Sequence, residues 1–171
     1  MIRAKNLNIK STLLSNRTLR GEIMGKIRTL AKDDYDNWIE IYQFYAEHYG
    51  VALTEVGIKT TWEWLMDPAN SLNGIAVQSD GSIIGLAHYR AMVSPLRGGY
   101  IGFLDDLIVR PGYRGKGAAK LLLDELKIIG QRQGWSVFRW ITKDDNYRAR
   151  SLYDKVASKT DWTTYEMDLG D

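Results

Sequence analysis

With 171 residues, 44% hydrophobic content and six Trp, the chain can bury one sizeable core and suits a single domain. It has no Cys, which excludes structural disulfides, cysteine metal sites and any covalent acyl-cysteine intermediate. The formal net charge of +2 conceals an asymmetry, because Arg3, Lys5, Lys10, Arg17 and Arg20 stand against Glu22 alone in residues 1–23, leaving the remainder net −2.

Residues 1–23 read as a basic N-terminal extension, either upstream sequence or a disordered arm, with Met24 as an alternative start. An arm that seeks nucleic acid or membrane, and an organellar presequence, are the other readings of the same charges. No run reaches the roughly 18 apolar residues that span a bilayer. The opening segment also lacks the apolar stretch of a secretory signal, so a soluble, cytoplasmic protein is expected.

From residue 24 the elements follow in order. Lys26 to Leu30 reads as a strand, and Lys32-Asp33-Asp34 supplies capping groups for a helix through Tyr49 that Gly50 ends. Trp38, Ile41, Tyr42 and Tyr45 recur at helical spacing as its apolar stripe. A second helix runs from about Val56 to Met66 and stops at Asp67-Pro68. Gly74 to Gln78 and Ile83 to Met92, around the turn at 79–82, read as an antiparallel hairpin. Tyr100 to Val109 is a long strand, and a helix from Gly117 to about Gln133 follows it. Ser136 to Thr142 reads as a strand, Tyr147 to Val156 as a short helix and Trp162 to Leu169 as a last strand. Met66 and Met92 read as core, and no internal repeat is present. His48 and His88 are too few and too scattered to indicate a metal site.

The segment LDDLIVRPGYRGKGAAKLLLDEL carries the chemistry. A buried strand enters a turn rich in Gly and basic residues, which opens directly into a strongly amphipathic helix. Gly115 and Gly117 let the backbone turn sharply, so that N–H groups of the first helical turn converge on one spot with the helix dipole behind them. Arg114, Lys116 and Lys120 add positive charge. A pyrophosphate suits this cradle. A nucleotide-hydrolysing P-loop does not, because Lys116 precedes Gly117 and Ala118 stands where a hydroxyl for Mg²⁺ is required. A dinucleotide fingerprint is also poorly met, since position 120 is Lys rather than Gly or Ala.

Arg114-Gly115-Lys116-Gly117-Ala118-Ala119 resembles the Arg/Gln-x-x-Gly-x-Gly/Ala signature of the GNAT superfamily of acyl-CoA N-acetyltransferases. Asn146-Tyr147-Arg148-Ala149-Arg150-Ser151-Leu152-Tyr153 is similar to its second signature, Asn-x-x-Ala/Ser-x-x-Phe/Leu-Tyr. Within the superfamily, LDDLIV, VFRWIT and RARSLYDKV look most like diamine acetyltransferases and fungal histone or polyamine acetyltransferases. The resemblance covers residues 24–169 and departs from the family where Ala157-Ser158 replace the usual Gly-Phe. It implies a GNAT-like mixed, mostly antiparallel central sheet flanked by helices, in the order β-α-α-β-β-β-α-β-α-β, over an N-acetyltransferase domain of residues 24–171.

The resemblance further implies acetyl-CoA as co-substrate, with its pantetheine arm along Leu107, Ile108 and Val109 beside a splay or bulge near Asp106. Its phosphates would sit on Arg114, Gly115, Lys116, Gly117, Ala118 and Ala119, with Asn146 holding the far side of the pantetheine. Tyr153 would protonate the departing thiolate, and Asp105 is favoured over Asp106 as base for the amine, the two adjacent carboxylates being expected on opposite faces of the sheet. Acids and aromatics of the first two helices, among them Tyr42, Tyr45, Tyr49 and Trp62, suit a cationic small amine or a lysine-bearing acceptor. A homodimer is expected, with neither nucleic acid nor membrane as partner. A non-catalytic acyl-CoA-binding domain acting through a partner is the alternative.

Overall fold

The computed structural model describes residues 15–17 and 25–170. Its strands are β1 (Ser15–Arg17), β2 (Gly25–Thr29), β3 (Leu72–Ser79), β4 (Ser82–Ser94), β5 (Gly99–Val109) and β6 (Phe138–Arg139). The helices are α1 (Tyr35–Tyr49), α2 (Glu55–Met66), α3 (Ala118–Arg132) and α4 (Tyr147–Val156). The strands form one sheet in sequence order, antiparallel throughout except that β5 and β6 run parallel. Of the basic extension, residues 15–17 pair with β2; its other residues lie outside the described ones. The chain divides into two compact units, Met1–Trp140, which holds this sheet with α1, α2 and α3, and Ile141–Asp171, which holds α4. Among the described residues no helix is long and apolar enough to cross a membrane.

Side-chain alternation along β4 separates two packed layers. Leu86 faces α1 and α2, where it joins Trp38, Ile41, Leu65, Ala76, Ile83 and Ile108 in one buried cluster. Its neighbour Gly85 faces the other way, and a Cβ there would meet Leu122 of α3 at 3.5 Å. The amphipathic pattern of α3 buries Leu121, Leu122, Leu126 and Ile129 on that second face.

Two expected strands differ from what forms. The one expected over Ser136 to Thr142 is reduced to Phe138–Arg139, paired only with Gly102 and Phe103. Gly102 makes this pairing feasible, since a Cβ on it would lie 2.6 Å from the Phe138 ring. The last expected strand does not form. Residues 162–169 carry no strand, and Trp162, Tyr165, Met167 and Leu169 are exposed. Alternation of apolar residues makes a strand only where a neighbouring edge offers a ladder, which local sequence cannot supply.

At the start of α1, Asp34 accepts from Arg28 Nη1 and Nη2 at 2.6 and 2.7 Å and from the Ala31 N–H at 2.7 Å. Burial pushes the Asp34 carboxyl up, but the Arg28 guanidinium and the Ala31 N–H outweigh it and hold the group below its ordinary value. Its stabilising effect is therefore complete above the unfolded carboxylate range and is lost as pH falls through the lower folded value. Asp34→Asn should lower unfolding free energy by about 2 to 3 kcal/mol near neutral pH. The difference from wild type in urea melts should shrink as pH is taken below the ordinary carboxylate range.

Candidate active site

The site begins with one extra residue. Between β4 and β5 the register steps from His88 opposite Asp106 to Tyr89 opposite Leu104, so Asp105 is a bulge with no partner of its own. The bulge overturns the expectation that the two carboxylates face opposite sides. Asp106 Oδ2 lies 2.7 Å from His88 Nδ1, while Asp105 accepts from Arg90 Nε at 3.1 and 3.2 Å. His88 and Arg90 are two apart on β4 and so share a face, which makes both acids line the α1 side. The expectation of a bulge near Asp106 holds.

Behind Asp106 lies a buried polar chain. The indole N–H of fully buried Trp38 donates to His88 Nε2 at 2.9 Å. An indole nitrogen can only donate, so Nε2 carries no proton and the neutral ring presents Nδ1–H to Asp106. The contact is thus a hydrogen bond to a carboxylate rather than an ion pair. Burial first, then the Asp106 carboxylate, raises the Tyr45 phenol well above the ordinary range. Burial, assisted by Asp106 and Asp105, pushes Tyr42 up to about 12. Both tyrosines therefore remain protonated at any physiological pH. Tyr42 stacks on Trp38 at 5.1 Å between ring centroids, and Tyr45 meets Tyr49 edge-on at 4.8 Å, giving this wall a continuous aromatic face.

Asp105 differs from its neighbour. Burial pushes its carboxyl above the ordinary carboxylate range, and Arg90 opposes the rise only in part. An acid so placed is a stronger base than a solvated one.

Beyond the bulge, β5 has an open edge. The Arg110 N–H donates to Ile84 O on the β4 side at 2.9 Å. Antiparallel alternation then directs Ile108 toward β4 and Leu107 and Val109 away from it. On that outer side β6 pairs no further than Phe103, so among the described residues the N–H and C=O of Leu107 and the N–H of Val109 have no strand partner. The Val109 carbonyl is met by Arg114 Nε at 3.0 Å. The expected pantetheine-binding residues thus include two whose backbone is open to a ligand.

The strand leads directly into the basic turn. Gly115 at φ 79° and Gly117 at φ 92° occupy the left-handed region, where a side chain would be strained. Gly117 is the N-cap of α3 and has no side chain with which to cap it. The first helical hydrogen bond runs from Leu121 N to Gly117 O, so Ala118, Ala119 and Lys120 lack helical acceptors for their N–H groups. Lys116 lies over the Tyr113 ring, 5.4 Å from its centroid. Lys120, expected to add charge here, is paired with Asp124 at 2.7 Å. Arg110, where the turn begins, is bound through both Nη atoms to Glu40 of α1 and through Nε to the Ile83 carbonyl.

Asn146 and Tyr153 lie on α4 in the second unit. The Asn146 side chain caps that helix by accepting from the Ala149 N–H at 3.3 Å and donates to Thr142 Oγ1 at 3.2 Å. Tyr153 lies two turns further along α4 and its carbonyl accepts from the Ala157 N–H.

An open strand edge leads here into an uncapped, basic helix start, and the sequence profile described as the Acetyltransferase (GNAT) family matches residues 35–157. The chain belongs to the GNAT acetyltransferase family. It is an acyl-CoA-dependent N-acetyltransferase. The D-amino-acid N-acetyltransferase HPA3 of Saccharomyces cerevisiae is 27% identical over 142 residues, covering 82% of this chain and 88% of the yeast protein. The solved ribosomal-protein-alanine N-acetyltransferase of Brucella melitensis biovar Abortus 2308 superposes with a TM-score of 0.71 at 25% identity, over 85% of this chain and 99% of that one. Aminoglycoside N-acetyltransferase AAC(6')-Iy, solved in complex with CoA, gives 0.72 at 17% identity over 96% and 100% of the two chains, a likeness of fold.

By sequence, Trp38, Tyr42 and Tyr45 form an apolar stripe and His88 carries no signal of a site. The connection of Trp38 through His88 to Asp106 has no local signal because it spans helix and sheet. Trp38→Phe keeps an aromatic ring but removes the indole N–H, orphans buried His88 Nε2 and leaves unfilled space. It should lower the unfolding free energy by about 1 to 3 kcal/mol, measured by chemical denaturation.

Proposed function

We propose that this enzyme transfers the acetyl group of acetyl-CoA to a small primary amine by direct attack in a ternary complex. The observation that carries the reading is the continuity of the open β5 edge with the basic start of α3. Leu107 and Val109 would pair with the pantetheine arm as an added strand, Ile108 anchoring the strand between them. The pyrophosphate would rest on Arg114, Gly115, Lys116, Gly117, Ala118 and Ala119, with charge supplied chiefly by Arg114 and Lys116. Asn146 would hold the far side of the pantetheine, a role resting on its place in the second signature.

An acceptor amine with a Lys-like pKa of about 10.4 must lose its proton, at roughly 4 to 5 kcal/mol near pH 7. Asp105 takes that proton, directly or through water. The amine nitrogen then attacks the thioester carbonyl carbon, the C–N bond forms and the C–S bond breaks; Tyr153 gives its phenol proton to the leaving thiolate, and the second proton, lost from the attacking nitrogen, restores the Tyr153 phenol through water. The absence of Cys supports direct attack over a cysteine-bound acetyl intermediate. The named relatives use different acceptors, a D-amino acid in yeast and a ribosomal-protein alanine in Brucella, so the acceptor depends on local side chains. A homodimer in the cytoplasm, acting without nucleic acid or membrane, completes the reading on family resemblance.

With acetyl-CoA and a panel of amino acids, polyamines and Lys peptides, free CoA thiol should appear only when an effective acceptor is present. No thiol above hydrolysis with any amine would overturn the proposal. Asp105→Asn should lower kcat by about 100-fold or more and abolish the acidic limb of the pH profile, whereas Asp106→Asn should leave that limb. Since Arg90 holds the Asp105 carboxyl down, Arg90→Gln should shift the acidic limb to higher pH. Tyr153→Phe should lower kcat by about 10- to 100-fold with little change in acetyl-CoA affinity. Gly117→Ala, strained at φ 92°, should weaken acetyl-CoA binding about tenfold by calorimetry.

A further inference from the structure

The least expected charge on the acceptor side is positive. Arg90 sits beside Asp105 with its guanidinium 5.0 Å from the centroid of the Phe103 ring, and its side chain is 37% exposed. Only Nε is used, shared between the two Asp105 oxygens at 3.1 and 3.2 Å. Among the described residues Nη1 and Nη2 make no hydrogen bond, although a guanidinium used only for structure would ordinarily present its two-pronged edge to the carboxylate, as Arg28 does to Asp34. The Phe103 ring and the Nε contact to Asp105 engage the guanidinium and leave its Nη1 and Nη2 edge available to a ligand.

The local charges make that edge informative. Asp105 and Asp106 are acids, His88 is neutral by its bond from Trp38, and Tyr42 and Tyr45 stay protonated. A simple alkyl amine would meet the acids but would also be repelled by Arg90. A zwitterion meets both signs favourably: its ammonium lies toward Asp105 while its carboxylate accepts from Arg90 Nη1 and Nη2. The amino and carboxylate groups of an α-amino acid are one carbon apart, which matches two protein groups already in hydrogen-bond contact with each other.

We propose that Arg90 reads the carboxylate of the acceptor, making the acceptor a free α-amino acid. This rests on the acetyltransferase reading above and names the substrate class of the same site. The α-carboxylate selects the acceptor through the fork of Arg90, and Asp105 removes the proton of the amine thus positioned.

The test compares free D- and L-amino acids with the corresponding amino-acid amides, which keep the amine and lose the anion, by CoA thiol release from the full chain. At least one free amino acid should exceed its amide by about 10- to 100-fold in kcat/KM. Arg90→Lys keeps a cation beside Asp105 but removes the planar fork. It should raise KM for that amino acid about tenfold or more, mostly without loss of kcat, and reduce the preference over the amide by the same factor. Amides or plain amines that match or exceed every free amino acid would overturn the assignment, with acetyl transfer itself intact. An equal loss on both acceptors in Arg90→Lys would overturn it too, since that pattern reports a structural role. No thiol release with any acceptor would overturn the acetyltransferase reading and this inference together.

Discussion

The arrangement of the site depends on the one-residue bulge at Asp105. Without it, strict alternation along β5 would send Asp105 and Asp106 to opposite layers and leave one of them under α3. With it, Leu104 still packs in the core, Asp106 reaches His88, and Asp105 reaches Arg90 on the same face. The bulge coincides with the loss of pairing on the other edge of β5, where β6 stops at Phe103. One short stretch thus presents carboxylates to one layer and open backbone groups along its edge.

Such a bulge exposes polar groups within a core and is sustained only if they are satisfied. The chain from Trp38 through His88 to Asp106 does this with donors and acceptors matched one to one. It also joins α1 to β4 and β5, and the Glu40–Arg110 pair makes a second connection where the basic turn begins. Asp106 is consequently engaged as a hydrogen-bond acceptor by His88. Asp105 is held by a single guanidinium nitrogen, with a carboxyl raised by burial, which is why it is the proposed base of the two.

Local periodicity revealed the helices well because each has its own hydrogen bonds and a capping signal. Tyr147 to Val156 was legible to the residue, and α1 ends at Gly50 as its sequence suggests. The strands were legible where hairpin partners are adjacent in sequence, as β3 and β4 are. They were misread at 136–142 and 162–169, where apolar and aromatic residues suggested strands but pairing depends on an edge remote in sequence. His88 carried no local signal at all; only the β4–β5 register and the position of Trp38 give it a role.

By itself, then, the sequence determined the strand-to-helix passage and its glycine-rich basic turn, because the left-handed conformations of Gly115 and Gly117 are confined to one turn. The two signatures of GNAT acetyltransferases were likewise written in contiguous residues. Only the tertiary structure decided which side each acid takes, since one bulged residue reverses every alternation beyond it. It alone put Arg90 against Asp105 and His88 beneath Asp106, contacts between residues 15 and 18 apart that depend on register rather than on pattern.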